Sequence, residues 1–216
     1  MSASGPATDG ILAPAKINLN LKIVGRREDG YHLLDSMVVF TAFGDRILVQ
    51  PSPQDSITID GPFGDMLNEP PSENICAKAL TMFRLAGGRV GPLAIHIRKD
   101  IPVGAGLGGG SSNAAALLRW LQENADGAVP DVSLSEIAPS LGADVPACLA
   151  GRALQMTGIG ETITLMSIAP HGRILLASPR VFMPTKTIFT ALEQSDFAID
   201  EGANAVSQSS AGSVAE

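Results

Sequence analysis

The sequence predicts a mixed α+β protein, and three local patterns indicate this class. Residues 16–24 alternate apolar and polar side chains, which is the period of a half-buried strand. A glycine-rich run over 104–110 leads directly into a helical pattern rich in Ala and Leu. Strand-like and helix-like segments follow one another to about residue 177. We therefore expect a sheet packed against helices.

The first 60 residues predict an antiparallel meander of strands. A polar turn from Gly25 to Gly30 follows the first strand, and Pro51 and Pro53 separate two shorter strands further along the chain. The four predicted strands cover 16–24, 33–43, 46–50 and 56–60.

Helix signals begin at Glu73 and Asn74, and the apolar periodicity that follows them ends at Gly87 and Gly88. A predicted strand over 93–98 delivers the glycine-rich run, and a predicted helix over 113–124 leaves it. The remaining predicted elements are a helix over 133–140 and strands near 152–157, 162–166 and 173–177.

The composition is that of a water-soluble metabolic protein. The chain has 216 residues, 45% of them hydrophobic, and its 15 basic and 22 acidic residues leave a formal net charge of −7. This charge argues against nucleic acid or a membrane surface as the main partner. No apolar run reaches the roughly 20 residues of a membrane span, and no signal-peptide pattern opens the chain, so we expect a cytoplasmic protein. Cys76 and Cys148 lie in apolar helical contexts and predict buried free thiols.

The stretch from Pro102 to Ala115 predicts a phosphate-binding loop, with a purely structural connector as the alternative. Glycine lets backbone N–H groups approach an anion, and the following helix offers its N-terminal amides. Ser111 and Ser112 can cap the helix, bind a phosphate oxygen or assist Mg²⁺. No lysine follows the glycines, which excludes the usual P-loop, and no acidic partner about 20 residues on supports a dinucleotide site. The candidate phosphate-binding residues are Pro102, Gly104, Gly106, Leu107, Gly108, Gly109, Gly110, Ser111 and Ser112.

The order Pro-x-x-x-Gly-Leu-Gly-Gly-Gly-Ser-Ser-x-Ala-Ala, beginning at Pro102, resembles the central motif of the GHMP kinase superfamily. Its members transfer the γ-phosphate of ATP to small hydroxylated metabolites. Residues 14–19, 25–32 and 141–146 extend the resemblance, which runs from about Ala13 to Leu192. The run Gly-Arg-Arg-x-Asp-Gly-Tyr-His is similar to the branch that phosphorylates a cytidine-diphosphate-linked sugar alcohol in isoprenoid precursor synthesis.

The resemblance implies that Asp144 is the catalytic base and that Lys16 is its partner. From the residues alone, Asp144 is as readily a helix cap, and Lys16 a solvated charge at a strand end. The resemblance also implies ATP as phosphate donor, Mg²⁺ as cofactor, and Asn74 and Lys99 as neighbours of adenine. Asn74 is equally a candidate helix cap. The metal ligands and the oligomeric state are not predicted.

Substrate recognition is implied at both ends of the resemblance. Tyr31 is expected to stack on cytosine, with His32 bonding to the polar edge of the base and Phe189 closing the stack. Asn18 is expected to hold the sugar alcohol near Lys16, and Thr185 completes the candidate substrate-binding residues. Read without the resemblance, Phe189 is a core residue and His32 a turn residue.

The expected domain organisation follows the same family. A flexible N-terminus over 1–12 precedes an N-terminal ATP-binding and catalytic domain over 13–168. Residues 169–198 are expected to begin an incomplete ferredoxin-like C-terminal domain, and 199–216 to form a disordered tail. A second glycine-rich motif of the family does not appear after Gly172. Besides the kinase, two alternatives therefore stay open: a nucleotide-binding remnant without useful turnover, and a kinase for another small alcohol.

Overall fold

A computed structural model describes residues 10–67, 70–126, 134–168, 170 and 172–178. The described residues form a seven-stranded mixed sheet packed against four α-helices, as the predicted α+β class requires. The strands are β1 (Ile11–Asn18), β2 (Lys22–Arg26), β3 (His32–Pro51), β4 (Ser56–Asp60), β5 (Leu93–Arg98), β6 (Leu154–Gly158) and β7 (Thr162–Leu165). The helices are α1 (Ile75–Leu85), α2 (Gly109–Asn124), α3 (Leu134–Leu141) and α4 (Val145–Ala150), with short 3₁₀ turns at Gly64–Met66 and Pro71–Glu73.

The 20-residue strand β3 organises the sheet. Strands β1 and β2 pair antiparallel with it along one side, and β5 and β6 pair antiparallel with it along the other. Beyond these, β4 pairs with β5 and β7 pairs with β6. The β4–β5 pair is parallel, so the expectation of a wholly antiparallel meander was wrong: the chain reaches β5 from β4 through α1, a crossover that allows parallel pairing.

Strand boundaries in the first 50 residues differ from the prediction. The predicted strand over 16–24 is two strands, β1 and β2, and β1 starts at Ile11, inside the range expected to be flexible. The predicted strands over 33–43 and 46–50 are one, because the chain stays extended through Gly44, where a Cβ would overlap the Ala13 carbonyl of β1. The missing side chain lets the two strands approach, and the prediction treated it as a turn signal.

The later elements follow the predicted order more closely. Strands β4 and β5 have the predicted bounds, and α1 runs from just after Asn74 to just before the Gly87-Gly88 pair. Helix α2 starts four residues earlier than predicted, at Gly109, and α4 was not predicted. The strand predicted near 173–177 is absent from the described residues, where that segment is extended and exposed without a ladder partner.

Helices α1 and α2 share one apolar core with the sheet. Its largest fully buried side chains include Phe83 of α1, Ile95 and Ile97 of β5, and Leu117 and Leu121 of α2. Both cysteines are buried and free, as predicted.

A buried ion pair joins β3 to the segment that follows β5. The Asp45 carboxylate is fully buried and pairs with the ammonium of Lys99. Its Oδ1 also accepts hydrogen bonds from the backbone N–H groups of Asp100 and Ile101, each at 2.8 Å. Because a buried charge without a partner is costly, this carboxylate secures the start of the glycine-rich loop.

Asp45→Asn is expected to lower the free energy of unfolding by about 3 kcal/mol or more, because it leaves the Lys99 ammonium buried beside a neutral amide. Urea unfolding measures the loss. The matched control is Asp100→Asn, which removes a carboxylate 3.2 Å from the exposed Arg98 guanidinium and should cost no more than about 1 kcal/mol. Equal losses in the two variants would contradict a special role for the buried pair.

Candidate functional site

The glycine-rich loop between β5 and α2 is built from left-handed backbone positions. Gly104, Gly106 and Gly108 have φ values of 71°, 72° and 65°, which residues with a Cβ rarely adopt. Gly108 is the N-cap of α2 and provides no side-chain cap. Among the described residues, no acceptor pairs with the backbone N–H groups of the first turn of this helix, Gly109 to Ser111. Unpaired N–H groups and the positive end of the helix dipole form an anion-binding feature.

The loop is fastened to β1. The backbone N–H of Lys16 donates to the Leu107 carbonyl at 2.9 Å, and a Cβ on Gly108 would lie only 3.0 Å from Lys16 Cβ. Nothing lies within 4 Å of the Cβ position of Gly106, so the outer part of the loop is open to a ligand. The glycines therefore serve two purposes: Gly108 admits Lys16, and Gly106 leaves backbone accessible.

Lys16 and Asp144 meet at the start of α2. Lys16 Nζ lies 2.9 Å from Asp144 Oδ1, with the lysine 3% exposed and the aspartate side chain 40% exposed. A register shift in β1 between Pro14 and Lys16 locally redirects the strand. Asp144 occupies the N-cap position of α4 but makes no capping hydrogen bond. The interpretation of Asp144 as a helix cap is therefore wrong, since its carboxylate faces Lys16 instead.

A chain of polar side chains continues from Lys16. Its ammonium donates to Asn18 Oδ1 at 3.0 Å, and Asn18 Nδ2 donates to Ser36 Oγ at 2.6 Å. Both ends of the Asn18 amide thus have protein partners, so its predicted contact with a sugar alcohol stays a prediction. Sequence reasoning missed Ser36. A signal was available, because Ser36 lies between Leu34 and Val38 at the buried positions of an alternating strand.

Hydroxyl and amide groups without partners lie at the other side of the loop. Ser112 Oγ and Asn113 Oδ1 are buried and have no hydrogen-bond partner in the described part of the chain. Ser111 Oγ lies 3.9 Å from the Cβ position of Gly142, so the first turn of α2 adjoins the segment that carries Asp144. Buried polar atoms without partners usually indicate a bound ion, water or ligand.

Asn74 and Lys99, predicted near adenine, both have partners inside the protein. Asn74 Oδ1 caps α1 by accepting from the Cys76 N–H at 2.9 Å, which confirms the helix-cap alternative. The Lys99 ammonium pairs with Asp45 and lies 3.1 Å from the Cβ position of Gly109, beneath the first turn of α2. Their contacts with a nucleotide stay predictions.

The candidate cytosine-binding residues lie at the tip of the β2–β3 hairpin. The turn is closed by the Arg27 N–H donating to the Tyr31 carbonyl at 2.8 Å and braced by a 2.6 Å ion pair between Arg27 and Asp29. Tyr31 is 60% exposed, so its ring is available for stacking, and His32 begins β3 in a half-buried position. The predicted residues Thr185 and Phe189, most of 169–198 and all of 199–216 lie outside the described residues.

Helix α4 is held against α2 beneath Asp144. The Arg119 guanidinium donates to the carbonyls of Cys148 and Leu149 at 2.9 and 3.0 Å, and burial lowers the pKa of this arginine. Burial raises the pKa of the Cys148 thiol to about 12, and the negative charge of Asp144 acts in the same direction. Cys148 is therefore a neutral packing residue at neutral pH rather than a nucleophile.

This geometry matches a known class of protein. Residues 74–152 match the model of the GHMP kinases N terminal domain, and the described part of the chain has the GHMP kinase fold. The homoserine kinase of Cytophaga hutchinsonii shares that fold at a TM-score of 0.52 and 19% identity, over 78% of this chain and 55% of the other. The superfamily resemblance expected from the sequence motifs is confirmed.

Particular relatives are more similar. The chain is 45% identical over 186 residues to the 4-diphosphocytidyl-2-C-methyl-D-erythritol kinase of Agrobacterium fabrum, covering 84% of this chain and 62% of the relative. The enzyme of that name from Paramagnetospirillum magneticum is 42% identical over 181 residues, covering 84% and 63%. A crystal structure of 4-(cytidine 5'-diphospho)-2C-methyl-D-erythritol kinase matches with a TM-score of 0.61 and 39% identity, over 73% of this chain and 55% of that one. The chain thus spans slightly less than two thirds of the length of these curated relatives.

Two searches of the described residues bear on partners. No helix there is long and apolar enough to cross a membrane. The same residues contain no group of three or more His, Cys, Asp and Glu side chains placed to hold a metal ion.

Cys148→Ala is expected to flatten the alkaline loss of stability. The thiol ionises in the unfolded chain near pH 8.5 but in the folded protein only near pH 12. A raised folded-state pKa means that its contribution is complete below pH 8.5 and is lost as the pH rises toward 12. Between pH 8 and 10.5 the wild type should lose about 2–3 kcal/mol more than the variant. Urea unfolding at each pH measures this difference, and parallel pH dependences would contradict the buried neutral thiol.

Proposed function

We propose that this chain carries the ATP-binding and catalytic part of a kinase that phosphorylates the 2-hydroxyl of 4-diphosphocytidyl-2-C-methyl-D-erythritol. The products are the 2-phosphate and ADP, and the reaction belongs to isoprenoid precursor synthesis by the methylerythritol phosphate route in the cytoplasm. The observation that carries the proposal is the 2.9 Å contact between Lys16 and Asp144 beside a loop with unpaired helix amides. The names of the relatives support the choice of substrate.

Asp144 is the proposed general base. Its carboxylate is partly exposed and has no capping duty, so it can accept the proton of the acceptor hydroxyl. The acceptor oxygen then forms a bond to the γ-phosphorus, the bond between that phosphorus and the β–γ bridging oxygen breaks, and its electron pair leaves with ADP. The ammonium of Lys16 holds the carboxylate in place and stabilises negative charge developing on the acceptor oxygen.

The loop is the proposed holder of the ATP phosphates. The first-turn amides of α2 have no acceptor among the described residues, and the positive end of the helix dipole adds to their attraction for an anion. Because Gly106 leaves open space where a side chain would stand, phosphate oxygens can approach the backbone there. Positioning of donor and acceptor is the main protein contribution to phosphoryl transfer.

The residues present fit a magnesium ion. Mg²⁺ favours oxygen ligands and is commonly held by one or two carboxylates together with substrate phosphates. Asp144 and the hydroxyls of Ser111 and Ser112 are oxygen donors near the loop, and Ser112 Oγ is buried without a partner in the described residues. When bound, the ion neutralises charge on the phosphates.

The cytidine end of the substrate is assigned to the β2–β3 hairpin. An exposed tyrosine ring at its tip offers a stacking surface, and stacking of a base on an aromatic ring contributes about 1–3 kcal/mol. His32 is the proposed hydrogen-bonding partner of the cytosine edge. Thr185 and Phe189 complete this part of the proposal.

Asp144→Asn is expected to abolish substrate-dependent ADP release and to leave ATP affinity within about twofold, because the amide keeps the shape but cannot take a proton. ADP release is followed by a coupled assay and ATP binding by titration calorimetry. Asp126→Asn is the matched control, since α2 separates Asp126 from the loop by roughly 24 Å at 1.5 Å per residue.

Each outcome of this comparison has a meaning. Loss of ATP affinity in Asp144→Asn would make the carboxylate structural or metal-holding. If the wild-type chain bound ATP without releasing ADP, the nucleotide-binding alternative would replace the kinase. ADP release with another small alcohol but not with the cytidine compound would reassign the substrate.

Gly106→Ala is expected to weaken ATP binding at least about tenfold, because a methyl group enters the phosphate loop at a left-handed position. Gly87→Ala is the matched control: Gly87 has a φ of 98°, its Cβ position is also open, and it lies after α1. Both variants should lose a similar amount of stability, while only Gly106→Ala loses affinity in titration calorimetry. Equal affinities would make the loop a connector. Gly108 is a less suitable site for this test, since its side chain would also displace Lys16.

A further inference from the structure

A buried row of hydrogen bonds leads away from the reacting groups into the sheet. It runs from Lys16 Nζ to Asn18 Oδ1 at 3.0 Å, from Asn18 Nδ2 to Ser36 Oγ at 2.6 Å, and from Ser36 Oγ to the Asn20 carbonyl at 2.6 Å. Ser36 is fully buried on the central strand β3. It is the innermost side chain of the row and touches neither Lys16 nor Asp144 directly.

The direction of these hydrogen bonds is set by the lysine. An ammonium has donors and no acceptor, so Asn18 must present its amide oxygen to Lys16 and its NH₂ group to Ser36. Ser36 Oγ accepts from that NH₂ group and has one proton left to donate, which goes to the Asn20 carbonyl. Every group in the row therefore has one permitted orientation.

The far end of the row is rigidly held. The Asn20 side chain accepts from the Met37 N–H at 2.5 Å, and the Leu19 N–H donates to the Met37 carbonyl at 2.8 Å. These bonds hold the segment between β1 and β2 against β3, so the carbonyl that receives the Ser36 proton is fixed. Leu34 and Val38, the buried neighbours of Ser36 on β3, are apolar, and packing alone does not call for a hydroxyl between them.

We propose that Ser36 is a positioning residue for phosphoryl transfer: it holds the Asn18 amide in the orientation that presents oxygen to Lys16, and so keeps the ammonium against Asp144. This inference rests on the proposed function. Without the hydroxyl, the Asn18 NH₂ group has no acceptor at that end. An amide that turns over places its NH₂ group against the ammonium, donor against donor, and displaces the lysine.

The test is a matched pair of substitutions, Ser36→Thr and Ser36→Val. The two side chains have nearly the same shape and the same strand preference, but only threonine keeps the hydroxyl. We expect kcat for ADP release to fall about 10- to 100-fold in Ser36→Val, as displacement of a catalytic group by about 1 Å does, and to stay within about threefold in Ser36→Thr. The KM for ATP should change less than about twofold in both. Equal kcat values for the pair would overturn the proposal.

Ser36→Ala covers the case in which the larger side chains disturb the strand. It removes the hydroxyl without adding volume, and we expect it to share the low kcat of Ser36→Val at a thermal midpoint close to that of Ser36→Thr. Wild-type kcat in Ser36→Ala would also overturn the proposal.

A second readout needs no substrate. The side-chain amide protons of Asn18, assigned by their loss in Asn18→Asp, should exchange slowly with solvent in the wild type and in Ser36→Thr, and at least about tenfold faster in Ser36→Ala. Unchanged exchange in Ser36→Ala would overturn the positioning role. If the wild-type chain released no ADP, that result would overturn the proposed function, while the exchange rates would still decide whether Ser36 orients Asn18.

Discussion

The buried ammonium of Lys16 is the interaction on which the candidate site depends. A cation that is 3% exposed has to be surrounded by acceptors, and here they are the Asp144 carboxylate and the Asn18 amide oxygen. The same residue joins the glycine-rich loop to β1 through its backbone N–H. One lysine therefore holds together a sheet strand, a helix N-terminus and a carboxylate 128 residues further along the chain, the difference between positions 144 and 16.

A second buried ammonium, that of Lys99, supports the same loop from the other side. Its partner Asp45 lies in β3 and also binds two backbone N–H groups after β5, so the chain enters the loop from a fixed point. The Cβ positions of Gly108 and Gly109 approach Lys16 Cβ and Lys99 Nζ to 3.0 and 3.1 Å. The absence of side chains at these two glycines is thus required by the lysines beneath them as well as by an anion above.

Asp144 is available for chemistry because α4 is stabilised by other means. Pro146 occupies the first turn of α4, Arg119 binds the carbonyls of its last turn, and Gly151 ends it in a left-handed conformation. With these elements in place, the N-cap carboxylate makes no capping bond and can pair with Lys16. The fold thereby places a partly exposed carboxylate next to a buried cation, and no change in backbone is needed to bring them together.

The sequence by itself determined what depends on neighbouring residues. Apolar periodicity and caps located β4, β5 and α1, and the run of glycines located the anion-binding helix start, because strand period, helix capping and left-handed backbone are short-range properties. Residue order was enough to single out Lys16, Asp144 and the superfamily. Tertiary structure alone decided that β3 passes through Gly44 without a turn, that β4 pairs parallel with β5, and that Asp144 faces Lys16 instead of capping α4. Ser36 belongs to this second group, since a buried serine acquires its role only when β1 brings Asn18 to it. Such contacts join residues far apart in the chain, and their geometry is set by the packing of the whole sheet.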